Sequence, residues 1–290
     1  MRRLLSIVSI LLWVLDSLLS PVHLRADTVS FPAVADAGIW EVSPTNNSGL
    51  ETSIRVGNVG AMSGGLRARG LFRFDLAEKT PAGSTITSAR LSLAASKTTD
   101  GQPRSFELRR MLVPWTEGES SWNVRFAPDV PWSEPGGAEG RDYSEIASAT
   151  TTVVDGETNS WGSTTGLVAD VQQWLDEPAG NHGWMLRRDE ETTANTARRF
   201  NTRESSSGEP TLTVEFTPPF HISLVEIVND QFYLRFTALA GQTYVVERRG
   251  LVAGGVWSVV TNLPPTPVGG PVTVCDPIAS GNRFYRIGRR

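Results

Sequence analysis

The chain has 290 residues, room for one or two domains of ordinary size. Hydrophobic residues make up 39% and the mean hydropathy is −0.18, which supports a packed core and excludes disorder along the whole chain. The formal charge of −4 argues against nucleic acid as a partner, since phosphate asks for a basic surface, and the single cysteine excludes an intramolecular disulfide framework.

The first 26 residues read as a removable signal peptide. Arg2 and Arg3 form a basic start, Leu4 to Leu19 an apolar run broken by Asp16, and Pro21 to Ala26 a polar end with cleavage after Ala26. That apolar run is shorter than the roughly 20 residues that span a bilayer, and no later segment could span one. The expectation is a secreted or periplasmic protein with no stable membrane insertion once the leader is gone. Losing Arg2, Arg3, Arg25 and Asp16 makes the remainder more acidic. The expected domains are 27–217 and 218–290.

Period-two alternation then recurs, the signature of strands with one buried face. Phe72, Phe74 and Leu76 alternate with Arg73 and Asp75; Ala89, Leu91, Leu93 and Ala95 repeat the pattern, as do Leu212, Val214 and Phe216. Turn clusters at 45–49, 63–65, 81–84 and 100–103 separate the runs. Residues 123–160 are rich in Gly, Pro, Ser and Thr and read as a long loop region with one or two short strands. Leu167, Val171, Trp174 and Leu175 fall at helical spacing and predict a short amphipathic helix that Pro178 and Gly180 end. Thr217-Pro218-Pro219 reads as a linker. Beyond it, alternation at Phe232, Leu234 and Phe236, at Tyr244 and Val246, and at Val272 and Val274 predicts about six short strands, a small sandwich of immunoglobulin or fibronectin type. Cys275 is expected as a buried small hydrophobe.

Ordered motifs carry a family resemblance. They run from Ala35-Asp36-Ala37 and Asn46-Asn47-Ser48-Gly49 through Arg69-Gly70-Leu71-Phe72-Arg73-Phe74-Asp75-Leu76 to Pro81-Ala82-Gly83-Ser84 and its following strand. Trp115-Thr116-Glu117, Ser121-Trp122, Asp170-Val171-Gln172-Gln173-Trp174 and Asn181-His182-Gly183 come next. Phe200-Asn201-Thr202-Arg203-Glu204 and Pro210-Thr211-Leu212-Thr213-Val214 close the series. Residues 35–216 thus resemble the DNRLRE-type domain, also classed as carbohydrate-binding module family 96. The resemblance implies an all-β jelly-roll sandwich without catalytic role, found on secreted bacterial proteins, whose members with known ligands bind acidic polysaccharide such as alginate. The C-terminal stretch resembles a small module of secreted Verrucomicrobia-like proteins, on Gly241-Gln242-Thr243-Tyr244-Val245-Val246-Glu247, Trp257-Ser258 and Phe284-Tyr285-Arg286-Ile287.

Within that frame the residues suggest roles. Arg73, Asp75, Arg203 and Glu204 read as a structural arginine–carboxylate network rather than a ligand clamp, because a buried ion must be paired. Asp36 and Asn47 join them as structural motif residues. Trp40, Trp122, Trp132 and Trp161 are candidate stacking platforms for sugar rings, whereas Trp115, Trp174 and Trp184 sit on periodic segments and read as core. Arginine pairs at 67/69, 109/110, 187/188 and 198/199 would form a basic face for uronate carboxylates if strands brought Arg67, Arg109, Arg187 and Arg198 together; the alternative is solvated faces balanced by Asp189, Glu190 and Glu191. Those four arginines with Trp122 and Trp161 are the expected ligand residues.

Catalytic constellations are absent: only His182 and His221 follow the leader, and no nucleophile elbow or zinc spacing appears. No cofactor or metal site is assigned. A structural calcium stays open, since Asp36, Asn47 and Asp170 offer oxygen donors but at no EF-hand spacing. The expectation is a non-catalytic polysaccharide-binding protein; the alternative is a structural or adhesive extracellular protein with no sugar ligand.

Overall fold

A computed structural model of the protein describes residues 27–98, 100–153, 156–219, 222–251, 254–278 and 281–289. The leader segment and His221 lie outside the described residues. The fold is all-β and divides into two compact units, 27–218 and 219–289.

The large unit contains strands β1 (Asp27–Trp40), β2 (Ser53–Asn58), β3 (Arg67–Phe74), β4 (Thr85–Thr98) and β5 (Arg104–Met111). They are followed by β6 (Val124–Phe126), β7 (Val130–Pro131), β8 (Tyr143–Val153) and β9 (Thr158–Gly162). Helix α1 (Thr165–Asp176), then β10 (Trp184–Arg188), β11 (Arg198–Asn201) and β12 (Thr211–Thr217) complete it. Antiparallel pairing runs β1-β12-β4-β11-β2-β3-β10-β5-β8, with β9 on the other side of β4. The ladder also closes on itself. The first half of β1 pairs with β12, from Asp27↔Phe216 to Pro32↔Thr211, and after a register shift between Ala33 and Ala35 the second half pairs with β3. Strand β1 therefore belongs to both layers, and the bulge is where it bends from one to the other.

Both layers share one core. Ala89, Leu91, Leu93, Leu212 and Val214 come from one side, and Phe72, Phe74, Phe106, Leu108, Trp184 and Leu186 from the other. Helix α1 closes an end of this core with Leu167, Val171, Trp174 and Leu175, the four residues at the predicted helical spacing. Its twelve residues make three turns, with the Thr164 hydroxyl capping the Leu167 N–H.

A second core lies on the opposite face of β1, β3, β10 and β5. Ala35, Ala37, Ile39, Leu71, Met111 and Met185 project there and are covered by Trp115, Trp122, Trp132 and Tyr143. The stretch from 112 to 142 is thus a packed cover rather than an open functional loop. The expected loop region also ends early: residues 143–153 form an eleven-residue strand, paired with β5 through two irregularities. Its Ser, Ala and Thr residues hide the alternation because an edge strand with bulges does not keep strict phase.

The small unit has six strands: β13 (Ile222–Val228), β14 (Gln231–Ala238), β15 (Tyr244–Arg249), β16 (Ser258–Leu263), β17 (Gly270–Pro277) and β18 (Phe284–Arg289). They form two three-stranded sheets, β13-β14-β17 and β16-β15-β18, over a core that includes Phe232, Phe236, Tyr244, Val274 and Tyr285. Cys275 is exposed, which corrects its expected burial. Val274 holds the inward phase of β17, so its neighbour must point outward.

Candidate functional site

The predicted basic face assembles in part, and it is neutralised. Arg67 and Arg69 on β3, Arg187 on β10 and Arg109 on β5 share the face that carries the second core. Each meets carboxylate. Arg67 bonds Glu41 through Nε and Nη2, both at 3.0 Å. Arg69 bonds Glu191 at 2.9 and 2.5 Å, with both side chains less than one-tenth exposed. Arg187 lies 3.3 Å from Glu191 and 3.4 Å from Glu107. Arg109 Nη2 donates to Glu107 at 3.0 Å, and its Nε lies 2.8 Å from the other oxygen at an angle poor for a hydrogen bond. Glu139 adds a fourth carboxylate, 3.2 Å from Arg109. The guanidinium groups also stack on the cover: Arg67 over Trp122 at 5.0 Å and Arg69 over Tyr143 at 5.4 Å. Four cations meet four anions on this face, and Glu139, the Trp122 ring and the Gly136 and Gly137 carbonyls, which accept from Arg69, tie the network to the cover.

The other expected ligand residues are covered. Arg198 is 1% exposed and donates to Asp100 and to the Thr196 carbonyl. Its strand phase points it inward beside Phe200. Trp161 is fully buried and donates Nε1–H to the Phe106 carbonyl; Trp122 is 3% exposed, and Trp132 donates to the Ser121 carbonyl. None of these indoles offers a face to a sugar. The local composition suggested loop exposure, whereas each ring fills a core position.

The structural motif residues divide. Arg73 stacks 5.8 Å over Trp115 with no ion pair among the described residues, and Asp75 accepts the Ala77 N–H in an exposed turn, so neither belongs to an arginine–carboxylate network. Arg203 and Glu204 do. Arg203 bonds Glu117 at 2.7 and 2.9 Å and lies 3.0 Å from Glu204, while its backbone N–H donates to Asp36 at 2.8 Å. Asp36 in turn donates its backbone N–H to Glu117. Asn47 donates its side-chain amide to the Glu117 and Ser120 carbonyls and accepts the Gly49 N–H. Gly49 packs so closely on Glu117 that an added Cβ would sit 2.2 Å from its carbonyl oxygen. Burial, with Glu204 and Glu117 nearby, pushes the Asp36 carboxyl up to about 7 against the pull of Arg203. Asp170 is elsewhere: it accepts from Trp184 Nε1 and Ser148 and faces Arg110.

Beside this cluster lies a groove of about 240 Å³ lined by Trp40, Glu51, Ser53, Arg55 and Arg199. Strands β2 and β11 turn Ile54, Val56 and Phe200 inward, so Ser53, Arg55 and Arg199 face out. Arg55 and Arg199 are direct partners across the ladder, and Lys97 on β4 is the partner of Arg199 on its other side. The Arg55–Arg199 pair places two guanidinium groups on one outward face, which suits an anionic group. Arg55 is exposed, lies 5.7 Å from the Trp40 ring centroid and has no ion pair among the described residues. Trp40 is half-exposed. Trp40 carried a stacking expectation; Arg55 and Glu51 did not. The available signal for Arg55 was one charged residue out of phase with Ile54 and Val56.

An all-β sandwich with a shallow surface groove of arginine, indole and hydroxyl groups has surface chemistry compatible with binding a sugar. In agreement, residues 27–134 match the family model of carbohydrate-binding module family 96. The match supports the DNRLRE-type resemblance and a carbohydrate-binding function, and a family of binding modules points to a non-catalytic role. The motifs from Asp170 onward and the small unit lie beyond the matched residues. No curated protein matches the chain.

Proposed function

We propose that the protein is an exported, non-catalytic binding protein for acidic polysaccharide, alginate being the model ligand, and that its ligand lies across β2 and β11. The carrying observation is the Arg55–Arg199 cross-strand pair beside Trp40. Its two cations suit the repeated carboxylates of a uronate chain, the indole suits a sugar face, and Ser53 and Glu51 suit hydroxyls. The groove is smaller than the several hundred Å³ of sites that enclose a ligand, in keeping with contact along a chain. Arg67, Arg69, Arg109, Arg187 and Arg198 each meet a carboxylate. The Arg2–Ala26 leader supports export, and nothing in the negative overall charge favours nucleic acid.

Affinity gel electrophoresis against alginate, pectin, chitin and neutral glucans tests this reading. Retardation by alginate should weaken with added salt and fall at least tenfold in Arg55→Ala/Arg199→Ala, while Arg67→Ala leaves it unchanged. Retardation by neutral glucans alone, or an undiminished response in the double variant, would sink it.

A further inference from the structure

We propose that Asp36, Glu117 and Glu204 form a calcium site in the large domain. One carboxylate oxygen from each residue lies within 4.8 Å of the others. Two oxygens on opposite sides of a calcium ion are at most about 5 Å apart, from Ca–O distances of roughly 2.3–2.6 Å. The spacing is within the reach of one calcium ion, whereas magnesium demands a shorter, near-ideal octahedron and is usually held through only one or two carboxylates. All three donors are hard anionic oxygens, with neither imidazole nor thiolate, which is the donor set of calcium rather than of a transition metal.

An acidic cluster alone is common on proteins; here the carboxylates are incompletely satisfied inside the fold. Asp36 is 0% exposed, and its Oδ1 has no hydrogen-bond donor. Glu204 Oε2 is likewise buried without one. A buried carboxylate oxygen lacking a donor is costly, and a cation removes that cost. Arg203 supplies one positive charge against three carboxylates, so the cluster retains a deficit that a divalent ion would correct.

The residues come from three separated parts of the chain: strand β1, the segment after β5, and the turn after β11. Rigid supports hold them. Asn47 and Gly49 lock the Glu117 backbone, and Thr202 donates its hydroxyl to the Glu51 carbonyl, next to the turn that presents Arg203 and Glu204. A calcium ion here would cross-link these segments beside the wall of the groove formed by Glu51 and Ser53. The site stands whether or not the groove binds polysaccharide.

The test uses the full chain after treatment with a chelator. Calorimetric titration should show one calcium bound per chain, with magnesium much weaker. At a calcium concentration a hundredfold above its Kd, the large-domain melting temperature should rise by about 5–10 °C. Asp36→Asn, and separately Glu117→Gln and Glu204→Gln, should abolish both the heat and the rise. Glu204→Gln removes one partly exposed group, so it keeps the test alive if Asp36→Asn fails to fold. No saturable heat in the wild-type protein, or a calcium response that survives these variants, would overturn the proposal. So would an Asp36→Asn protein as stable without calcium as the wild type with it, because the orphan oxygen would then be serving a proton.

Discussion

Removing Glu191 tests whether the arginine–carboxylate network holds the cover on the sheet. Glu191 takes two hydrogen bonds from Arg69 and lies 3.3 Å from Arg187, and its side chain is only 8% exposed against 5% for Arg69. Glu191→Ala leaves Arg69 buried without its counter-ion, although Arg69 Nη1 still donates to the Gly136 and Gly137 carbonyls. Breaking a buried pair from one side costs about 3–5 kcal/mol. For a domain of this size that lowers the melting temperature by roughly 6–20 °C, at about 2–4 °C per kcal/mol. The control is Glu41→Ala, which breaks the more exposed pair with Arg67 and should cost at most about 1 kcal/mol. Differential scanning calorimetry of the full chain reads both, the large-domain transition being the one that moves. A Glu191→Ala shift no larger than that of Glu41→Ala would refute the claim that Glu191 holds Arg69 in place against residues 136 and 137 of the cover. The double replacement Arg69→Met/Glu191→Leu should recover part of the loss, since no orphan charge then remains.

Other outcomes follow from single residues. Trp161→Ala should cost about 3–5 kcal/mol in urea unfolding while the folded fraction keeps its alginate mobility shift, and Trp40→Ala should do the reverse. Gly183→Ala should lower soluble yield and stability by more than about 2 kcal/mol, because Gly183 has φ +74° and an added Cβ would lie 2.0 Å from the Phe72 carbonyl oxygen. In the small domain, burial would raise the Asp276 carboxyl, but hydrogen bonds from Arg248 and Tyr285 and the charges of Arg248 and Arg283 hold it below the usual carboxylate range. A depressed carboxyl stabilises the fold above its unfolded value near 3.8 and loses that contribution as pH falls through the folded value. Calorimetry between pH 2 and 5 should therefore show the small-domain transition falling with acid, and Asp276→Asn should flatten the slope.

Much of the fold is written in local periodicity. Alternation at Phe72/Phe74 and Leu212/Val214 marks inward faces that the structure confirms, and the four apolar residues of α1 all enter the core. What local pattern cannot give is the partner across space. Arg67, Arg109 and Arg187 do converge on one face, yet their opposing carboxylates come from residues 41, 107, 139 and 191. Trp122 and Trp132 sit in a segment without periodicity because they pack as single plugs onto a sheet, not as a strand face. Asp36, Glu117 and Glu204 are far apart along the chain, and only the tertiary fold brings them together. Cys275 shows the converse: the alternation at Val272 and Val274 already implied that it faces outward.

The pairing of the first and last strands of the large domain has a mechanical consequence. Asp27 lies opposite Phe216, so the domain is entered and left at the same end of one antiparallel ladder. Pulling on both ends would load the pairs one after another, from Asp27↔Phe216 inward to Pro32↔Thr211, as a zipper opens, instead of shearing all of them at once. A domain with neighbouring ends can hang from a longer chain as a side loop without lengthening it. Under such tension, the β1–β12 seam would be the first part of this domain to part.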